Sequence, residues 1–317
     1  MIDRSSQRIR PLPVGAIGPG TQPTGDDGAE LEYLAMPGAM QTYRPPPLPE
    51  PEEIVDCAAG LAFLGSLHLL LSGYRVGAMP QVMDLAGLEA RDRQLVLETL
   101  GEGEVSIRAA DHILSTAGSA RPDVGFDQAA EVRSDQQVVE RIAQETRLAG
   151  VWRVTERDER GMLRRDVLEI CSVPGFVRFT TFAKANAQID TEGLSASGLM
   201  NAPGVIAELN SALSARKGDR DAVVVNLTLL PQTETDLACL EERLGLGPVS
   251  ILSRGYGNCR ITATAIRDLW WVQYFNSDDR LILNTLELTG VPAAALAAQE
   301  DIDDSAERLA EILRALQ

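Results

Sequence analysis

From residue 57 onward the apolar positions fall into short periodic blocks separated by polar or glycine-containing breaks. Leu61, Leu64, His68 and Leu71 recur at the spacing of one helix face, and the apolar stretch Gln81 to Leu85 behind them predicts a strand. Leu237, Leu240 and Leu244 fall at i, i+3 and i+7 and predict another amphipathic helix, with Thr233 and Asp236 resembling a capping pair at its start. Gly245 is placed to supply the left-handed residue that ends this helix, and Gly101 does the same for an earlier one. The apolar run Ala222 to Leu229 predicts a strand, and the polar clusters Asp158-Glu159-Arg160-Gly161 and Asn276-Ser277-Asp278-Asp279 predict β-hairpin turns.

These blocks occur twice. Leu100-Gly101-Glu102-Gly103-Glu104-Val105-Ser106-Ile107 reads like Leu244-Gly245-Leu246-Gly247-Pro248-Val249-Ser250-Ile251. Upstream, Ala62-x-Leu64-x-Ser66 matches Ala207-x-Leu209-x-Ser211. Downstream, Gly150-Val151-Trp152-Arg153-Val154 aligns with Leu269-Trp270-Trp271-Val272-Gln273, and Leu168-Glu169-Ile170 with Leu286-Glu287-Leu288. The expected fold class is therefore α+β: two tandem homologous units, residues 52–192 and 200–317, each reading α-β-α-β-(β)-β-β-α with helices packed on a mixed or antiparallel sheet. The copies diverge between the shared strand and the shared hairpin, where the first has the long polar interval Arg108 to Arg147 and the second the compact Ser253 to Arg260. Function is expected where the copies differ.

Residues 1–51 hold ten of the 17 prolines, including Pro45-Pro46-Pro47, together with the Gly-rich stretch Gly15 to Gly20. Proline fixes φ and removes donors, so this segment is expected to be an extended arm, either a free tail or a strip laid along the body or a partner.

Charge and composition narrow the function classes. With 29 basic and 46 acidic side chains the formal charge is −17, so a nucleic-acid backbone would be repelled. Met1 to Arg10 lacks a following apolar core of the secretory type, and the longest apolar run, Cys57 to Leu71, is shorter than the roughly 18–20 residues of a membrane span. A cytoplasmic protein without a membrane span is expected. Four scattered cysteines and two histidines, His68 and His112, show no metal-ligand spacing, and no cofactor is expected.

Candidate chemistry gathers in the second unit. Arg254 and Arg260 are suited to clamping a partner's carboxylate, or to pairing with the internal acidic excess. Gly255 and Gly257 flank Tyr256 at a spacing that could let backbone N–H groups approach an anion, but the rest of a phosphate-binding fingerprint is missing. Tyr256 is expected, with Arg254, Cys259, Arg260, Trp270 and Trp271, to contact a partner. Cys259 lies between the arginines in sequence, where positive charge would lower its pKa and make it a nucleophile or transient metal ligand; the alternative is a buried structural cysteine. Trp270 and Trp271 are neighbours on a predicted strand and must face opposite sides, as core residues or as anchors for a partner. Nothing in these spacings defines an acid–base pair, so an enzyme is not expected.

The words Leu246 to Arg260, Trp270-Trp271-Val272-Gln273-Tyr274-Phe275-Asn276 and Leu281 to Glu287 closely resemble the HupH/HyaF/HoxQ family of hydrogenase expression/formation proteins. The similarity extends to Gly101 to Ser106, Gly18-Pro19-Gly20, Leu31-Glu32-Tyr33-Leu34, Pro292 and Asp301-Ile302, nearly the whole chain. The resemblance implies a cytoplasmic accessory factor for maturation of an uptake [NiFe] hydrogenase, acting on the iron–sulfur small-subunit precursor before twin-arginine export. It implies as partners that precursor and a thioredoxin-like hydrogenase accessory protein, and it carries no catalytic triad or cofactor site. A second reading makes Cys259 a transient iron–sulfur or thiol carrier.

Overall fold

The computed structural model describes residues 56–110, 138–194, 198–216, 222–255 and 257–316. The chain divides into Met1–Pro47 and Leu48–Gln317, and every described residue belongs to the second unit. The arm expected over residues 1–51, most of the interval Arg108 to Arg147, and Tyr256 lie outside the described residues.

The first half runs α1 (Ala58–Gly73), β1 (Gln81–Asp84), α2 (Ala90–Leu100), β2 (Val105–Ala110), β3 (Val138–Glu145), β4 (Val151–Asp158), β5 (Leu163–Ile170) and the short α3 (Gly175–Thr180). The second runs α4 (Ala202–Ala215), β6 (Val223–Asn226), α5 (Glu234–Leu244), β7 (Val249–Gly255), β8 (Gly257–Ala263), β9 (Leu269–Phe275), β10 (Leu281–Leu288) and α6 (Gln299–Ala315). The strand expected over Ala222 to Leu229 stops at Asn226. There the side-chain oxygen accepts the Thr228 N–H and turns Leu227–Leu229 into a single 3₁₀ turn.

The repeated Leu-Gly-x-Gly word has one physical content in both places. Gly101 and Gly245 end their helices at φ 58° and 59° with ψ near 180°, a region essentially confined to glycine rather than the left-handed helical one expected. Two residues on, a Cβ at Gly103 would collide with the Thr146 carbonyl and one at Gly247 with the Thr264 carbonyl. The bare backbone instead donates to Glu145 O and Ala263 O, both at 2.7 Å, and launches the next strand.

All ten strands form one antiparallel sheet in the order β1-β5-β4-β3-β2-β7-β8-β9-β10-β6, which reads alike from either end when each strand is exchanged for the one five later. At the centre β2 pairs with β7, and Ile107 stands opposite Ile251, its counterpart in the repeated word. The two expected units thus meet in a ladder of hydrogen bonds within one sheet.

The sheet is curled. Ser172 and Val173, which follow β5, line the same cleft as Gly290 and Val291, which follow β10, and the Ala297 N–H donates to Ser172 O at 2.9 Å. These strands are second and ninth in the order, which a flat sheet would separate by about 34 Å at ~4.8 Å per strand. Ile107, Ala143 and Val154, with Ile251, Ile261 and Val272, share one face and are fully buried. We call this the inner face. Terminal segments cross between halves: α6 packs on α1 with Ile302 against Gly150, and Phe182 meets Trp270 edge to face at 5.2 Å. A second cluster joins α4 and α5, through Leu209, Leu240 and Leu244, to Leu269 and Leu286 on the outer face.

Candidate functional site

Alternation along β8 and β9 decides which of the predicted residues can act together. Register places Arg254, Asn258 and Phe275 in one cross-strand row, Leu252, Arg260 and Gln273 in the next, and Ser250, Thr262 and Trp271 in a third. Through β2 the second and third rows continue to Ser106 and Arg108. All of these lie on the outer face. Arg108, Arg254 and Arg260 are exposed. None of the three forms an ion pair among the described residues, so the internal pairing open to Arg254 and Arg260 is not made. The Arg260 guanidinium instead lies 5.7 Å from the Phe275 ring centre, a cation–π distance.

Trp271 is half-buried, and its indole N–H donates to Asn284 Oδ1. Between its ring and the C-terminal end of α5 runs an open groove of about 340 Å³. Its walls include Leu246, Arg260, Thr262, Trp271 and Gln273, with Glu241 on the helical rim. The amphipathic spacing of α5 fixes that rim: Leu240 and Leu244 are fully buried, which leaves Glu241 outward.

Cys259 and Trp270 do not reach this surface. Their side chains point to the inner face, where Cys259 stands opposite Ser253 and Tyr274 and is 8% exposed. Burial pushes the thiol up to about 11; nearby Glu287 adds to the rise and the Tyr274 hydroxyl opposes it. Of the two readings of Cys259 the buried one agrees with this position, and the thiolate one does not, because Arg254 and Arg260 project from the other side. Trp270 is fully buried and donates its indole N–H to Thr289 O and Gly290 O. Tyr256 lies outside the described residues.

The structure also corrects the alignment of the two halves by one residue. Trp152, fully packed and opposite Glu169, donates to Cys171 O just as Trp270, opposite Glu287, donates to Thr289 O. Trp152 is the counterpart of Trp270, not of Trp271, and a one-residue slip reverses which face a side chain takes. The true counterparts on the outer face are Arg153 with Trp271 and Asp166 with Asn284. In the first half Arg153 and Asp166 close a two-bond ion pair at 2.9 Å. In the second the same brace is neutral and presents an indole to the groove.

Sequence reasoning missed Arg108, Thr262 and Gln273. Period-two alternation outward from Arg260 and Trp271 would have found the last two. Arg108 needed the β2–β7 pairing, which is long-range. Among the described residues no three His, Cys, Asp or Glu side chains are grouped to hold a metal ion, and no helix is long and apolar enough to cross a membrane.

Fold and surface together define an α+β protein on a single antiparallel sheet, with an outer face that is arginine-bearing at its middle. The chain belongs to the hydrogenase expression/formation protein family typified by HupH. The profile of the HupH hydrogenase expression protein C-terminal conserved region matches residues 199–316. The hydrogenase expression/formation protein HupQ of Azotobacter chroococcum mcd 1 is 43% identical over 96% of this chain and 98% of its own. HupH of Rhodobacter capsulatus is 39% identical over the same shares, and the hydrogenase-1 operon protein HyaF of Escherichia coli K12 is 31% identical over 93% and 94%. A solved structure, hydrogenase expression protein HupH from Thiobacillus denitrificans ATCC 25259, is 28% identical over 36% of this chain and 94% of its own, with a TM-score of 0.31. A role in hydrogenase expression and formation follows from the family.

Proposed function

We propose that this chain is a non-enzymatic, cytoplasmic accessory factor that binds the iron–sulfur small-subunit precursor of a [NiFe] uptake hydrogenase before twin-arginine export, alongside a thioredoxin-like accessory protein. The observation that carries the reading is the outer face of β2, β7, β8 and β9: three exposed arginines and a half-buried tryptophan on one hydrogen-bonded sheet, with no carboxylate within those strands on that side. Aromatic and arginine side chains held on a regular element are the usual anchors of polypeptide interfaces. The mirrored strand order supports a further reading, that the two halves arose by duplication and only the second kept the groove open.

The test is capture of the precursor by tagged protein from cells expressing the hydrogenase operon. Trp271→Ala and Arg260→Glu should each lower recovery about tenfold while the melting temperature stays within a few degrees of wild type. Undiminished capture by both variants would remove this surface from the interface. The carrier reading of Cys259 has less support, because its thiol is buried and held protonated at neutral pH.

A further inference from the structure

We infer that the outer face receives an acidic, apolar-bearing extended segment of the client polypeptide, and not the basic export signal that the net charge of the whole chain would attract. This rests on the client assignment proposed above.

Within four strands the outward side chains carry a charge opposite in sign to that of the whole chain. The formal charge is −17, yet Arg108, Arg254 and Arg260 are the only ionisable side chains that β2, β7, β8 and β9 turn outward. Arg254 and Arg260 are diagonal neighbours on adjacent strands, one row apart, so their guanidinium forks can engage carboxylates spaced along one extended chain. Among the described residues, carboxylates stand beside these arginines without forming ion pairs with them, Glu140 of β3 among them, one row from Arg108 on the same face. Glu104 faces Arg254 across the ladder, where Arg254 N–H donates to Glu104 O, and Glu241 sits on the α5 rim. The apolar requirement comes from the groove beside Arg260, which Leu246, 64% exposed, and Trp271 both line. A side chain seated there leaves the next residues of an extended segment over Arg260 and Arg254. Arginines and aromatics on an open sheet also suit single-stranded nucleic acid, but a phosphate chain brings a charge at every unit against the acidic excess, whereas a polypeptide can carry its few carboxylates only where the arginines stand.

The experiment uses the full-length protein and overlapping synthetic peptides that cover the small-subunit precursor, with a single-stranded oligonucleotide in parallel. Bound peptides should share Asp or Glu next to a bulky apolar residue, and their affinity should fall with added salt. Arg254→Glu and Arg260→Glu should each weaken the best peptide about tenfold or more, and a peptide with its acids changed to Lys should recover binding to the double variant. Preferential binding of the signal peptide or the oligonucleotide, or indifference to both reversals, overturns the inference. Two failures are separable. If the intact precursor is captured but acidic peptides are not preferred, the inference falls and the function stands. If acidic apolar peptides of unrelated sequence bind through Arg260 while the precursor is never captured, the client assignment falls and the surface reading holds.

Discussion

Glu145 shows how a single half-buried carboxyl couples this fold to pH. Burial raises its pKa to about 7; the Gly150 N–H opposes the rise, and Glu104 and Asp301 add to it. The unfolded chain releases this proton near 4.5 and the folded one keeps it to about 7, so stability is full below the lower value and declines as pH rises through the window. At ~1.4 kcal/mol per pKa unit the loss is about 3 kcal/mol. Glu145→Gln should therefore match wild type near pH 4 and exceed it by about 2–3 kcal/mol at pH 8 in urea unfolding; a pH-independent difference would show that Glu145 does not titrate in this range. Cys259 allows a chemical check at the same scale. With its thiol pushed to about 11 inside the sheet, iodoacetamide at pH 8 should modify half-exposed Cys239 first and reach Cys259 only on unfolding, as read by mass spectrometry. Rapid labelling of Cys259 in the native protein would restore the carrier reading.

At the scale of elements, the outer groove depends on how α4 and α5 are pinned. Asp236 is fully buried and its carboxylate accepts from the N–H groups of Met200, Asn201, Ala202 and Thr233 and from the Thr233 hydroxyl, which caps two helices at once. Burial alone would raise its pKa, but the bonds from Ala202, Thr233 and Met200 hold it well below the ordinary carboxylate range. Its stabilisation is present above the unfolded pKa near 4 and is lost as pH falls through the depressed folded value. Asp236→Ala leaves several donors without partners and should cost about 3 kcal/mol or more in chemical denaturation; a cost under ~1 kcal/mol would mean that water replaces the carboxylate freely. The half of this arrangement that is local could be read from the sequence: Thr233 and Asp236 do form a capping box. The reach to α4 could not, because the partners lie more than thirty positions away. The same division explains the rest. Helix ends at Gly101 and Gly245 and the hairpin turns are written in neighbouring residues. The burial of Cys259 was one of the two readings open in the sequence, and alternation along β8 gives its face; Arg260 beside it in sequence offered the thiolate alternative, which that same alternation disfavours. The misalignment of Trp152 with Trp271 arose because Trp270-Trp271 offers two equal matches, which the strand register and the carbonyl that each indole reaches separate.

For the whole molecule the issue is whether the two halves of the sheet unfold as separate bodies. Three kinds of contact bind them. β2 and β7 share five residue pairs in register. The chain's last helix packs on its first described one, with Gln299 accepting the Val76 N–H at 2.8 Å and donating to Tyr74 O. Phe182 from the first half covers Trp270 in the second. If one half unfolded alone it would strip Ile107 or Ile251 and one terminal segment from its partner, exposing apolar surface at roughly 25 cal/mol per Å² with no compensating gain. A single cooperative transition is therefore expected. The three tryptophans allow it to be observed. Trp152→Phe leaves fluorescence only in the second half, and Trp270→Phe with Trp271→Phe leaves it only in the first. Denaturation curves of the two variants, each normalised to circular dichroism on the same sample, should superpose in shape and midpoint once the small stability difference of each substitution is subtracted. Fluorescence that departs from circular dichroism in either variant would mean that the central ladder is too weak to hold the sheet together. In that case the halves would act as independent domains, and the cleft that Val173 and Val291 jointly line would open without loss of either core.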